Sequence, residues 1–419
     1  MIDKNPYIQA LARFYKKKGD LIVLESQMKN HPASKKSYLA AVPVATIKAY
    51  GNKIIVSEDG KERTFEQNPF SALSEFKKKY GTWLFGFFGY DLKNFIEELR
   101  SENLALVHTP DLYFFVPGFL AELHSNNEID VLVGAMPEDL PRTMVQEAVS
   151  IHPKKQISKE EYIQVIKKAQ DQIKEGAYYE INVSHPLEFE LSGTGWGLYQ
   201  KMKSLGPVPF ASYICFDEFE ICSASPERFL SKTESKIISQ PIKGTISRSD
   251  KKDEEKIEAL KNSEKERAEN LMIVDLVRND LGKICKNGSI QVSNLFEIQS
   301  FETVHQMVST VEGKVDENVS VTDIIEACFP MGSMTGAPKI AAMRAIETLE
   351  NYRRGIYSGA IGYISPQNNF DFSVVIRTAV VNKDYLVYPV GGAITSDSDP
   401  ELEWEETLLK ARALTNLLN

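Results

Sequence analysis

Apolar residues in the first 150 positions come in short runs separated by glycine, asparagine and aspartate, which is the rhythm of strands. Leu21-Ile22-Val23-Leu24-Glu25-Ser26, Lys53-Ile54-Ile55-Val56 and Ile129-Asp130-Val131-Leu132-Val133 are the clearest of them. Gly81, Gly86 and Gly89 recur among Trp83, Phe85, Phe87 and Phe88, predicting bulges or a close backbone approach. Past Pro137, Pro141 and the basic stretch Ile151-His152-Pro153-Lys154-Lys155 the period changes. Ser158-Lys159-Glu160-Glu161 spells a capping box, and Tyr162, Val165, Ile166, Ala169 and Ile173 follow at helical spacing until Gly176 supplies a stop. The turn into this helix, near 150–157, predicts a boundary between an N-terminal unit, 1–150, and a larger one, 151–419. Downstream, the pattern predicts one long helix from Lys251 to Val277, with shorter ones over Val321–Cys328 and Ala337–Leu349. Strands follow over Ser358–Ile364, Asp371–Val381 and Tyr385–Val390, and a helix over Glu401–Leu418 closes the chain. Helices and strand runs mix without strict alternation. The expected class is α+β, with large antiparallel sheets packed face to face and helices outside.

Composition narrows the function. A length of 419 residues exceeds one simple core, and 42% apolar with 26% charged residues is ordinary for a soluble protein. A net charge of −9 argues against nucleic acid or an anionic membrane as the main partner. Cys215, Cys222, Cys285 and Cys328 are scattered without CxxC spacing, and six histidines leave little material for a zinc site. Free thiols in a reducing cytoplasm are the expectation. Met1-Ile2-Asp3-Lys4-Asn5 lacks an apolar signal core, and no run is long enough to span a bilayer.

Candidate chemistry begins with Lys243 in Gln240-Pro241-Ile242-Lys243-Gly244-Thr245, sixteen positions after Glu227 of Ser225-Pro226-Glu227-Arg228-Phe229. Ile237 to Ile242 reads as a short strand, and Gly244 can turn the backbone after it. A lysine there either closes a strand at the surface or reaches into a cleft, where loss of its proton makes the amine a nucleophile. Glu403 and Glu406, three apart on the terminal helix after Ser396-Asp397-Ser398-Asp399-Pro400, share one face. Two such carboxylates suit Mg²⁺, a hard cation that prefers oxygen ligands, or simply form a solvated helix face. Glu269, in Arg267-Ala268-Glu269-Asn270, stands where the long helix turns apolar. Gly332-Ser333-Met334-Thr335-Gly336-Ala337-Pro338-Lys339 is a glycine-rich turn whose N–H groups can hold a carboxylate, but it lacks the spacing of a nucleotide-binding P-loop. Gly391-Gly392-Ala393 after a strand offers a second such cradle. Arg377, in Val374-Val375-Ile376-Arg377-Thr378, is a cation in an apolar strand and needs an anion, which a ligand or a protein carboxylate supplies equally well.

Together these motifs closely resemble the chorismate-utilising enzymes, the family that includes anthranilate synthase component I and para-aminobenzoate synthase component I. Ser-Pro-Glu-Arg-Phe at 225–229, Pro-Ile-Lys-Gly-Thr at 241–245 and Glu-Asn-Leu-Met-Ile-Val-Asp-Leu-Val-Arg-Asn-Asp at 269–280 carry the resemblance. Gly-Ser-Met-Thr-Gly-Ala-Pro-Lys at 332–339, Ile-Arg-Thr at 376–378 and Asp-Ser-Asp-Pro-Glu at 397–401 complete it. It extends upstream through Tyr179-Glu180-Ile181-Asn182 and Gly86-Phe87-Phe88-Gly89-Tyr90-Asp91. The resemblance implies chorismate as substrate and Mg²⁺ held by Glu269, Glu403 and Glu406. It implies a carboxylate site at Arg377, Gly391, Gly392 and Ala393, with Thr335, Tyr363, Lys410 and His305 as further substrate contacts. Glu227 becomes the general acid at the C4 hydroxyl and Lys243 the nucleophile at C2. The para-aminobenzoate branch carries lysine in Pro-Ile-Lys-Gly-Thr where the anthranilate branch usually has alanine, so Lys243 implies amination at C4 with pyruvate retained. A separate glutamine amidotransferase chain is implied as the ammonia source. The alternatives are the anthranilate branch and a non-catalytic tryptophan-binding relative, the latter suggested by Leu24-Glu25-Ser26. One departure stands out: many relatives have histidine where this chain has Gln306, and its histidine is one residue earlier, at His305.

Overall fold

Strands buried on both faces read as continuous apolar runs, and here the two faces of each strand serve different cores. The computed structural model describes residues 6–27, 36–124, 128–140, 147–217, 219–248, 253–301 and 304–418. In the strand Leu21–Glu25, Ile22 points into one cluster while Leu21 and Val23 point into another. In Leu84–Phe88, Phe85 and Phe87 join Ile22, whereas Leu84 and Phe88 face the opposite way. The cluster shared by Ile22, Phe85, Phe87, Tyr113, Phe115, Ile214, Ile221 and Val380 is built almost wholly from strand residues, so here sheet packs on sheet. The other clusters are helix on sheet. Pro69–Tyr80, Glu264–Gly282 and Val321–Cys328 cover one, while Pro6–Lys16, Gly195–Ser204 and Pro400–Thr415 cover a second. Lys159–Lys174 and Lys339–Leu349 cover the third. The class is α+β with helices outside, as the pattern predicts.

Every ladder between the described strands is antiparallel, and together they link 21 strands. Leu21–Glu25 pairs with Phe210–Phe216, and Leu84–Phe88 pairs with Ala360–Ile364, so ladders join residues on either side of 150–157. The close approach predicted among the early glycines is real at Gly86, where a Cβ would sit 1.9 Å from the Tyr113 carbonyl oxygen. No helix among the described residues is long and apolar enough to cross a membrane.

The helix Lys159–Lys174 opens on the predicted capping box, and Gly176 follows it with φ +83°. Several predicted elements are broken or shortened; the strand expected over Ile237–Ile242 divides at Pro241 into Lys236–Gln240 and Ile242–Ser247. The helix expected over Lys251–Val277 is two, Asp253–Asn262 and Glu264–Gly282, because the Ser263 hydroxyl accepts from the Glu266 N–H and starts a new helix. Lys251 itself, like Met1–Asn5 and Pro141, lies outside the described residues. The strand expected over Asp371–Val381 is Phe370–Val374 and Thr378–Asn382, with Arg377 at φ +50° between them. There the chain leaves its partner Arg228–Thr233 for Phe219–Ser225. The helix expected from Ala337 begins at Lys339, since Gly336 and Ala337 pair instead with Ile181 and Glu180.

Candidate active site

Glu227 and Arg377 are brought together by two coincident strand breaks. The turn that contains Ser225-Pro226-Glu227 lies between the strands Phe219–Ser225 and Arg228–Thr233, beside the gap at Val375–Arg377. The Val374 N–H donates to the Glu227 carbonyl (3.0 Å) and the Ala224 N–H to that of Arg377 (3.1 Å), locking the two gaps side by side. Glu227 is 5% exposed, and the Ser333 hydroxyl donates to its Oε1 at 2.7 Å. Burial pushes its carboxyl up to about 7 against the pull of Ser333 and Lys243. A carboxyl that holds its proton near neutrality is suited to be a general acid. Arg377 is partly exposed, and among the described residues its guanidinium forms no ion pair; Tyr388 and Glu227 are its nearest charged or ionisable influences. The Tyr388 hydroxyl is itself buried without a partner. Of the two anions that Arg377 could take, a protein carboxylate is absent from its fork.

Lys243 is inside a strand, Ile242–Ser247, and not at a strand end. The ladder to Val304–Lys314 slips between Ile242 and Thr245, and Gly244 takes φ +82°, so a bulge re-aims Lys243 into the protein. The side chain is 8% exposed and its Nζ donates to Glu180 Oε1. Burial alone would favour the neutral amine, but Glu180, Glu269 and Glu406 outweigh it and hold the ammonium above its ordinary range. The resting lysine is therefore charged, which the sequence reading did not foresee.

The three predicted metal glutamates converge on cations of the chain. Lys265 Nζ lies 3.9 Å from Glu269 Oε1 and 3.5 Å from Glu403 Oε1, while Glu406 turns to Lys410 at 2.7 Å. Glu269 is pushed up to about 7 by burial, and Glu403 is raised by burial and by Glu406. Lys410, first among the causes, holds Glu406 down. Glu403 also accepts from the Ser398 hydroxyl at 2.8 Å. Among the described residues no group of three carboxylate, histidine or cysteine side chains stands ready-made for a metal. Glu269 Oε1 is nevertheless buried with no hydrogen bond, and the donor set is all carboxylate, so the residues suit an oxygen-seeking dication that displaces Lys265.

Gly391, Gly392 and Ala393 lie within the strand Tyr385–Ile394, paired with Ser184, Val183 and Asn182, and not in a loop after it. The strand's other edge is paired only over Tyr385–Val387, so this segment is hydrogen-bonded along one side. Lys410 donates to the Gly391 carbonyl at 2.9 Å. A side chain at 392 would meet Glu403 Oε2 at 3.2 Å, so glycine there makes room for that carboxylate.

Three other predicted contacts are engaged elsewhere. The Thr335 hydroxyl donates within its own turn, to the Met331 and Gly332 carbonyls. Tyr363 packs with Tyr38, Trp83 and Phe85 in the sheet-on-sheet cluster. His305 bonds Ser300 at 2.8 Å and lies 3.1 Å from Asp253 Oδ1, whereas Gln306, its neighbour on the opposite face, reaches Thr245 beside Lys243. Glu25 of Leu24-Glu25-Ser26 is buried against Lys203 and the Tyr199 hydroxyl.

Sequence reasoning missed Glu180, Ser333 and the clamp that holds them. Arg354 is buried, pairs with Glu350 at 2.6 Å, and donates to the Met334 carbonyl (2.7 Å) and to the Asn182 carbonyl (2.8 Å). It thus ties the turn bearing Ser333, partner of Glu227, to the strand bearing Glu180, partner of Lys243. Glu180 had a signal of its own, its place in Tyr179-Glu180-Ile181-Asn182, one of the motifs that carry the family resemblance.

A buried acid, a buried lysine, a free guanidinium and a surplus of carboxylates fit a small, multiply anionic substrate that takes a cation with it. A family model described as chorismate binding enzyme matches residues 20–416. Anthranilate synthase component 1 of Aquifex aeolicus is 35% identical over 401 residues, spanning 86% of this chain and 81% of that protein. Aminodeoxychorismate synthase component 1 of Escherichia coli is 30% identical over 420 residues, spanning 95% and 93%. The crystal structure of anthranilate synthase component I from Streptococcus pneumoniae superposes with a TM-score of 0.80 at 27% identity, covering 93% of each chain. With a site of this composition and a match over nearly its whole length, the chain belongs to the chorismate-binding enzymes.

Proposed function

We propose that the chain is an aminodeoxychorismate synthase component I, converting chorismate and ammonia to 4-amino-4-deoxychorismate. The observation that carries this reading is Lys243, a buried amine aimed inward by a bulge and within electrostatic reach of the buried acid Glu227. Arg377 and the backbone of Gly391, Gly392 and Ala393 hold the enolpyruvyl carboxylate, the guanidinium supplying the fork that its missing ion pair leaves open. Glu269, Glu403 and Glu406 hold Mg²⁺, which when bound offsets repulsion between the substrate's ring carboxylate and the acidic site. Glu227 gives its proton to the C4 oxygen, which leaves as water. The amine of Lys243 bonds to C2 as the two conjugated ring double bonds shift, and ammonia then adds at C4 while the lysine leaves. The enolpyruvyl group stays in place, so aromatisation belongs to a separate lyase.

The anthranilate branch uses the same fold and carboxylates, and one relative of comparable similarity carries that name. Lys243 favours the first reading, because amination at C2 leaves no task for a lysine directed at that carbon. The non-catalytic reading has less support: Glu25 of Leu24-Glu25-Ser26 is already engaged by Lys203. Ammonia is best supplied by a glutamine amidotransferase chain, since Cys215 and Cys285 are shifted up to about 11 by burial and Cys222 and Cys328 are raised further, the reverse of an activated nucleophile.

The test is product identity from the purified chain. With chorismate, Mg²⁺ and ammonium, aminodeoxychorismate is expected; glutamine should not replace ammonium, and excess chelator should remove most of the activity. Fluorescent anthranilate appearing without an added lyase would instead place the chain in the other branch.

A further inference from the structure

An ammonium has no lone pair, so Lys243 must lose a proton before it can attack, and its surroundings hold that proton in place. The ionisable groups around it come from four elements. Glu180 lies on the strand Glu180–Ser192, Glu227 in the turn before Arg228, Glu266 and Glu269 on the helix Glu264–Gly282, and Glu406 and Lys410 on the terminal helix. Of these, Glu180 is the one in hydrogen-bond contact with Nζ. It is 1% exposed, and its second oxygen, Oε2, is buried with no hydrogen-bond partner. Its position is fixed by the backbone: Gly336, at φ +139°, packs so closely that a side chain there would sit 2.1 Å from the Glu180 carbonyl oxygen. Arg354 anchors the same strand two residues on, at Asn182.

We propose that Glu180 is the catalytic base for Lys243, taking the proton from Nζ as its amine attacks and returning it when the lysine is released. The proposal rests on the reading of Lys243 as nucleophile. Proton transfer from Nζ to Glu180 Oε1 leaves a neutral amine beside a neutral acid. The amine forms the C2–N bond, the two conjugated ring double bonds shift in sequence, and the C4–O bond breaks as Glu227 protonates the departing oxygen to water. Ammonia then forms the C4–N bond, both conjugated double bonds shift back, and the C2–N bond breaks. Glu227 recovers its proton from the new ammonium group, and Glu180 returns its own to Lys243. Chorismate and ammonia become aminodeoxychorismate and water, and no other reactant is needed. Glu227 cannot serve both ends, because its proton is committed to the leaving oxygen.

The test is single-turnover adduct formation by the full chain with chorismate and Mg²⁺ but no ammonia, quenched and read by mass across a range of pH. Glu180→Gln keeps the shape and the hydrogen bond but cannot take a proton. The expected result is an adduct on Lys243 that forms about 10²–10⁴-fold more slowly near neutrality. Below about 7 the rate should climb with pH as solvent base takes over, and the climb should level off where Glu227 loses its proton, while chorismate affinity changes by less than about threefold. Glu180→Asp, which keeps a carboxylate at longer reach, should recover part of the rate and guards against a fold defect in the glutamine variant. A Glu180→Gln enzyme as fast as wild type, or faster with its acid limb moved to lower pH, would overturn the proposal, since loss of charge alone produces that. Absence of any adduct in the wild type would instead overturn the nucleophile reading beneath it.

Discussion

Lys243→Ala is expected to lower aminodeoxychorismate formation by at least about 10³-fold, because the covalent route has no other nucleophile. The same change should cost stability. Glu180 would be left buried without its cation, and removing one partner of a buried pair costs about 3–5 kcal/mol unless the survivor takes up a proton. A urea midpoint that falls in Lys243→Ala and returns in Lys243→Ala/Glu180→Gln would separate the two effects, since the double variant removes the stranded charge but not the catalytic defect. Ammonium-dependent turnover of the double variant should stay as low as that of the single one. A single variant with unchanged turnover would remove Lys243 from the chemistry.

Glu227→Gln is expected to slow adduct formation by about 10²–10⁴-fold, as an amide cannot protonate the leaving oxygen. The pH dependence carries the sharper test. A general acid works only while protonated, and burial has moved the Glu227 carboxyl up to about 7. The step it assists should therefore hold steady at lower pH and decline as pH rises through about 7. In Glu227→Gln that decline should vanish from the residual rate. A glutamine variant that keeps the same decline would trace it to another group.

How much of this was legible in the sequence follows the range of the interactions. Local signals held where the deciding contact is local: the Ser158 capping box starts its helix, and Val321–Cys328 is helical as expected. The alternate burial of Leu21-Ile22-Val23 explains why that run looks uniformly apolar and still belongs to a sheet. What failed was decided by pairing across the chain. Lys243 and Glu180 are 63 residues apart, and neither local pattern names the other. The strand containing Arg377 breaks because its two ends pair with different partners, a choice no propensity of Val375-Ile376-Arg377 reveals. The resemblance implied Tyr363 as a substrate contact, and the structure places its ring against Phe85 and Trp83. Ser263 could have been read, since a serine followed three positions later by Glu266 is a cap signal, overlooked inside a run that was otherwise helical.

The central claim is a covalent bond between Lys243 and the substrate, and intact-protein mass measures it most directly. Wild-type chain is held with chorismate and Mg²⁺ in the absence of ammonia, quenched in acid, weighed and digested. The account predicts a gain equal to chorismate less one water, carried by the peptide that contains Lys243 and lost on adding ammonium as aminodeoxychorismate appears. Unmodified Lys243 at every time point, in enzyme that yields aminodeoxychorismate at full rate once ammonium is added, would contradict it.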